Sequence, residues 1–82
     1  MHRIPRDLSG RDLCQLLERF GYAVSHRSGS HVRLSSQRSG ASPSITIPDH
    51  NPIKIGTLNS ILSEIAVAQK FTKQQIVEQL FG

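Results

Sequence analysis

The sequence predicts an α+β domain, with a three-stranded antiparallel sheet covered by helices on one face, in the order α-β-β-β-α plus a C-terminal helix. Three observations predict it. Apolar residues recur at helical spacing towards both ends, at Leu13, Leu16, Leu17 and Phe20 and again at Leu58, Ile61, Leu62 and Ile65. Between these stripes, three short stretches alternate apolar and polar residues with the period of a strand. Connections rich in glycine, serine and proline separate them, short enough for neighbouring strands to pair in sequence order.

The first helix spans residues 10–20. Ser9 stands at its N-cap position, and Asp12 places an acid near the positive helix end. Gly21 follows the last apolar residue, where a left-handed residue closes a helix. Cys14 lies three residues before Leu17 and reads as a half-buried packing residue with no activating cation beside it in sequence.

The first strand begins at Tyr22, and strict alternation puts Tyr22, Val24 and His26 on one side and Ser25 and Arg27 on the other. Ser28-Gly29 supplies the turn. The second strand runs from about Ser30 to Ser36 and the third from Ser44 to Ile47, ending at Pro48. Residues 37–43 between them are small, polar and aperiodic, which predicts a loop. The core face then holds Tyr22, Val24, Val32, Leu34, Ile45 and Ile47. The opposite face holds Ser25, Arg27, His31, Arg33, Ser44 and Thr46, polar and cationic throughout.

A second helix is expected from a Thr57 cap, after an irregular connection carrying His50 and Lys54. A last helix follows from the Thr72/Gln75 capping box, with Phe71 and Ile76 placed for a hydrophobic staple. No repeat or boundary interrupts the chain, so residues 1–82 are expected to form a single domain.

Composition narrows the function. Hydrophobic residues make up 37% and charged residues 20% of the chain, within the range of folded domains. No apolar run is long enough to span a bilayer, and Met1-His2-Arg3-Ile4-Pro5-Arg6 precedes no secretory apolar segment. Cys14 has no partner thiol for a disulfide or a zinc site, and no histidine pair shows metal-ligand spacing. Neither a metal nor a cofactor is expected, and residence is expected to be cytoplasmic. The net charge of +4 is concentrated mid-chain, where Arg27, Arg33, Arg38 and Lys54 face only Asp49 over residues 24–54. An anionic partner is expected to dock there, although the same charge also serves a surface with no ligand.

Within that segment, Arg27-Ser28-Gly29-Ser30-His31-Val32-Arg33-Leu34 carries a proton-transfer group and a phosphate-binding cation on one side of a strand. Spacing alone leaves His31 open between chemistry and an idle surface histidine. His50 is open between a second acid–base group and a solvated turn residue. His26, on the parity of Val24, reads as packing at the sheet edge, and His2 as part of the terminus.

Four features together resemble the HicA (YcfA-like) toxin family: an opening helix ending at Gly21-Tyr22, Gly29-Ser30-His31 at a strand start, Ile47-Pro48-Asp49-His50, and Gly56-Thr57-Leu58 at a helix start. The resemblance covers about residues 8–68. It implies a double-stranded-RNA-binding-domain-like fold and a toxin that cleaves mRNA independently of the ribosome. It also implies catalysis by His31 and neutralisation by a HicB-like antitoxin. Arg27, Gly29, Ser30, Arg33 and Lys54 are the candidate RNA ligands: cations for the phosphate, the Gly29 amide and Ser30 as donors, and Lys54 at a helix N-terminus. Two rival expectations are a double-stranded-RNA-binding module that does not cut and a domain acting only through protein contacts. The helix over residues 72–81 extends beyond the family pattern.

Overall fold

A computed structural model describes residues 4–36 and 44–82, so the loop expected over residues 37–43 lies outside the described residues, as does His2. The elements are α1 (Gly10–Arg19), β1 (Tyr22–Ser28), β2 (His31–Ser36), β3 (Ile45–Pro48), α2 (Ile55–Gln69) and α3 (Lys73–Phe81). The three strands form one antiparallel sheet in the order β1-β2-β3. Leu13, Leu17, Val32, Leu34, Ile47, Leu58, Leu62 and Ile65 lie in one core between the helices and one sheet face. The expected α+β architecture is the one observed.

Local chemistry sets the helix ends. The Ser9 hydroxyl accepts the Asp12 amide at 3.0 Å, and Gly21 closes α1 at φ 102°. At α3 the Thr72 hydroxyl accepts the Gln75 amide while the Gln75 side chain accepts the Thr72 amide, the full capping box. Phe71 sets its ring edge-on against Phe20, 6.2 Å between centroids. The start of α2 differs from expectation. Its N-cap is Lys54, and the Leu58 amide bonds to the Lys54 carbonyl at 2.9 Å, which leaves Thr57 inside the first turn. The cause is Ile53, buried in the core and tied by its amide to the Leu8 carbonyl at 2.8 Å. This anchor fixes the helix entry ahead of Thr57. At the other end, Lys70 at φ 61° lets the Lys70 and Phe71 amides bond back to the Val67 and Ala66 carbonyls, a Schellman closure.

The larger difference is in β1. Its pairing with β2 runs Tyr22 to Ser36, Ala23 to Ser35 and Val24 to Leu34, then shifts, so that His26 faces Arg33, Arg27 faces Val32 and Ser28 faces His31. Ser25 is the extra residue of a β-bulge. Beyond it the side-chain parity of β1 inverts. Arg27 therefore belongs to the helix side with Val32, and His26 to the open side with Arg33, the reverse of strict alternation. Val24 stays on the helix side opposite Leu34, but it is 44% exposed because β1 is an edge strand.

The N-terminus of α1 is packed tightly against the chain leaving β3. A Cβ on Gly10 would come within 2.2 Å of the Pro48 carbonyl oxygen, and the Gly10 amide bonds to the His50 carbonyl at 2.8 Å. Gly10→Ala should therefore cost roughly 2–3 kcal/mol, as overpacking against backbone does. Unchanged urea unfolding would refute that close approach.

Cys14 is buried, and burial pushes its thiol above the ordinary range; Arg27 partly offsets this, while Asp49 and Glu18 add to it. A pKa raised on folding favours the folded state below the unfolded value of about 8.5 and loses that contribution as pH rises through the folded value. Iodoacetamide should accordingly modify native Cys14 at pH 8 at least tenfold more slowly than the urea-unfolded chain. Equal rates would contradict the burial.

Candidate active site

The face of the sheet turned away from the helices carries the candidate residues. Residues paired directly across strands share a face, which arranges this surface in rows. One row is Ser28, His31 and Pro48; the next is His26, Arg33 and Thr46. His26, Ser28, His31, Arg33 and Thr46 are all exposed. Ser25, thrown out by the bulge, hydrogen-bonds the Arg33 carbonyl at 3.3 Å and accepts the Ser35 hydroxyl at 3.2 Å. These bonds tie the bulge to β2 beside Arg33.

His31 opens β2 immediately after a two-residue turn, Gly29-Ser30. Gly29 adopts φ 57° there, a conformation that suits glycine at the first turn position. The Ser30 carbonyl accepts the Asp49 amide at 2.6 Å, so the turn is pinned to the end of β3. His31 is thus flanked on both sides, by Ser28 on β1 and Pro48 on β3, with the Ser30–Asp49 bond just before it, while its imidazole meets solvent.

The sequence-derived ligands divide into two groups. Gly29, Ser30, His31 and Arg33 lie along the turn and the open side of β2. Arg27 does not join them. It lies on the helix side, where its guanidinium pairs with Asp49 at 3.5 Å in a small cleft that Cys14, Glu18 and Val32 also line. Both partners are substantially exposed, so this pair orients more than it stabilises. Lys54 is exposed at the start of α2, a helix end with no side-chain cap and no acid in its first turn. It stands on the connector that leaves β3 beside the turn.

Strict alternation also missed two placements. His26 reaches the open face through the bulge, and Asp49 acts as the partner of Arg27. The signal available for His26 was weak: after Val24, β1 contains no apolar residue to declare which side faces the core. His50 lies beyond the last paired residue of β3, with its carbonyl engaged by Gly10 and its side chain region exposed.

Chemically, the open face offers exposed imidazoles, a guanidinium and hydrogen-bond donors on paired strands. No group of three or more metal-ligating side chains occurs among the described residues, and none of the described helices is long and apolar enough to cross a membrane.

No curated protein and no solved structure matches the chain. A family model does: the HicA toxin of bacterial toxin–antitoxin systems, over residues 10–67, from the first residue of α1 into the last turns of α2. Toxins of this family cleave mRNA and act in systems with an antitoxin partner. That span takes in the turn, the whole sheet and the start of α2, and on it the chain belongs to the HicA toxin family.

Proposed function

We propose that this protein is a ribosome-independent endoribonuclease that cuts mRNA in the cytoplasm, with His31 as its acid–base catalyst, and that a HicB-like antitoxin neutralises it. The observation that carries the reading is the position of His31. It is exposed on the uncovered sheet face, directly after the Gly29-Ser30 turn, with Arg33 two residues on and on the same side.

RNA brings its own nucleophile, the ribose 2′-hydroxyl. A neutral imidazole removes that proton, or an imidazolium protonates the departing 5′-oxygen, and histidine suits either role near pH 7. Arg33 holds the scissile phosphate and offsets its charge as the transition state forms. The Gly29 amide and the Ser30 hydroxyl donate to phosphate oxygens from the turn. Lys54 and the amides of the first turn of α2 hold a neighbouring phosphate. Arg27, committed to Asp49 on the helix side, has no part in this cluster.

The test is His31→Ala. Positioned acid–base catalysis is worth roughly 10²–10⁴ in rate, and the variant should lose at least the lower figure against single-stranded RNA. Its thermal midpoint should stay at the wild-type value, because an exposed side chain is being removed. Full cleavage by the variant would overturn the reading. RNA bound and released intact by the wild-type protein would support a non-cutting RNA-binding module in its place.

A further inference from the structure

Cleavage of RNA by its own 2′-hydroxyl needs two proton transfers at one phosphodiester. One takes the proton from the 2′-oxygen, and the other gives a proton to the 5′-oxygen as it leaves. A single imidazole performs one of these at a time, and the other is left to water. The open sheet face carries a second imidazole. The bulge at Ser25 turns His26 out beside Arg33, and His31 is two residues from Arg33 along β2. His26 and His31 are therefore diagonal neighbours across the β1–β2 pair, a relation with Cβ atoms about 7–8 Å apart or less. Two imidazoles at that spacing can converge on one phosphate from opposite sides, with Arg33 adjoining both.

We propose that His26 is the second acid–base group of the RNA-cleaving site, dividing the two proton transfers with His31. The proposal rests on the reading of His31 as catalytic and adds a residue to it. In the step itself, one neutral imidazole takes the 2′-OH proton as the 2′-oxygen bonds to phosphorus. The P–O5′ bond breaks, and the other histidine, as imidazolium, gives its proton to the 5′-oxygen. The products are a 2′,3′-cyclic phosphate and a 5′-hydroxyl, and no further reactant is required.

Placement separates His26 from the other histidines. It is exposed, and its side chain makes no hydrogen bond or ion pair among the described residues. The charged and titratable groups beside it in these rows are Arg33 and His31 on β2; β3 contributes the uncharged Thr46 and Pro48. His50 lies past the paired end of β3 and belongs to no row of the sheet.

The experiment compares His26→Ala and His31→Ala with the wild-type protein on a single-stranded oligoribonucleotide, measuring cleavage rate from pH 5 to 9. A second substrate replaces the scissile 5′-oxygen by sulfur, a leaving group that needs no proton. The wild type should give a bell-shaped profile. His26→Ala should lose about 100-fold in rate and one limb of the bell, with RNA affinity and thermal midpoint unchanged. The sulfur substrate should restore cleavage in one of the two variants and not in the other. A full rate and an intact bell for His26→Ala, with His31→Ala inactive, would overturn this inference and leave the role of His31 standing. Rescue of both variants, or of neither, would also overturn the division of labour. Full activity of His31→Ala would remove the reading on which the inference rests.

Discussion

A seam of three backbone hydrogen bonds organises the protein. The chain leaving β3 is held by Asp49 to the Ser30 carbonyl, by the His50 carbonyl to the Gly10 amide, and by Ile53 to the Leu8 carbonyl. Within five residues it thus touches the hairpin turn, the first residue of α1 and the segment before α1. Backbone amides and carbonyls need partners, and these find each other across three separate pieces of chain, residues 8–10, Ser30 and residues 49–53. The absence of a side chain at Gly10 is what permits the approach. Through this seam the turn that carries His31 is fixed relative to α1, and the entry into α2 is fixed relative to both.

Much of the fold was legible because its signals are redundant. The α1 stripe has a capping serine before it and a glycine after it; α3 has a reciprocal box. In β2 and β3, aliphatic residues recur at every second position, and a one-residue slip would turn all of them into solvent. Their parity was therefore readable, and with it the outward placement of His31, Arg33 and Thr46. The second half of β1 has no such constraint. After Val24 it reads Ser25-His26-Arg27-Ser28, four residues that water accepts on either side. A bulge there costs no burial, so the pattern holds no trace of it. The exchange of His26 and Arg27 between faces is the direct result. Thr57 failed as a cap for a related reason: capping chemistry is local, while the start of α2 is set by the burial of Ile53 against distant residues.

The exchange changes the electrostatics of the open face. Arg27 is drawn into the helix-side cleft with Asp49 and Glu18, near the Cys14 thiol. Arg33 remains beside the two histidine positions. The face therefore combines two exposed imidazoles with a single guanidinium between them. Tyr22 supports it from beneath: its hydroxyl accepts a hydrogen bond from Gln69 at 2.9 Å, joining the start of β1 to the end of α2.

The last helix has a consequence for what counts as the minimal protein. The family pattern stops at residue 67, yet α3 begins at Lys73 and places Ile76, Val77 and Leu80 in the common core, while Lys73 hydrogen-bonds Asn59 back on α2. Each large aliphatic side chain withdrawn from such a core removes roughly 2–5 kcal/mol, comparable with the whole margin by which a small domain stays folded. A chain cut at the edge of the shared motif would keep every residue of the site and lose the cohesion that holds them in place. The segment of this chain that matches the family and the segment that forms its core are thus of different lengths.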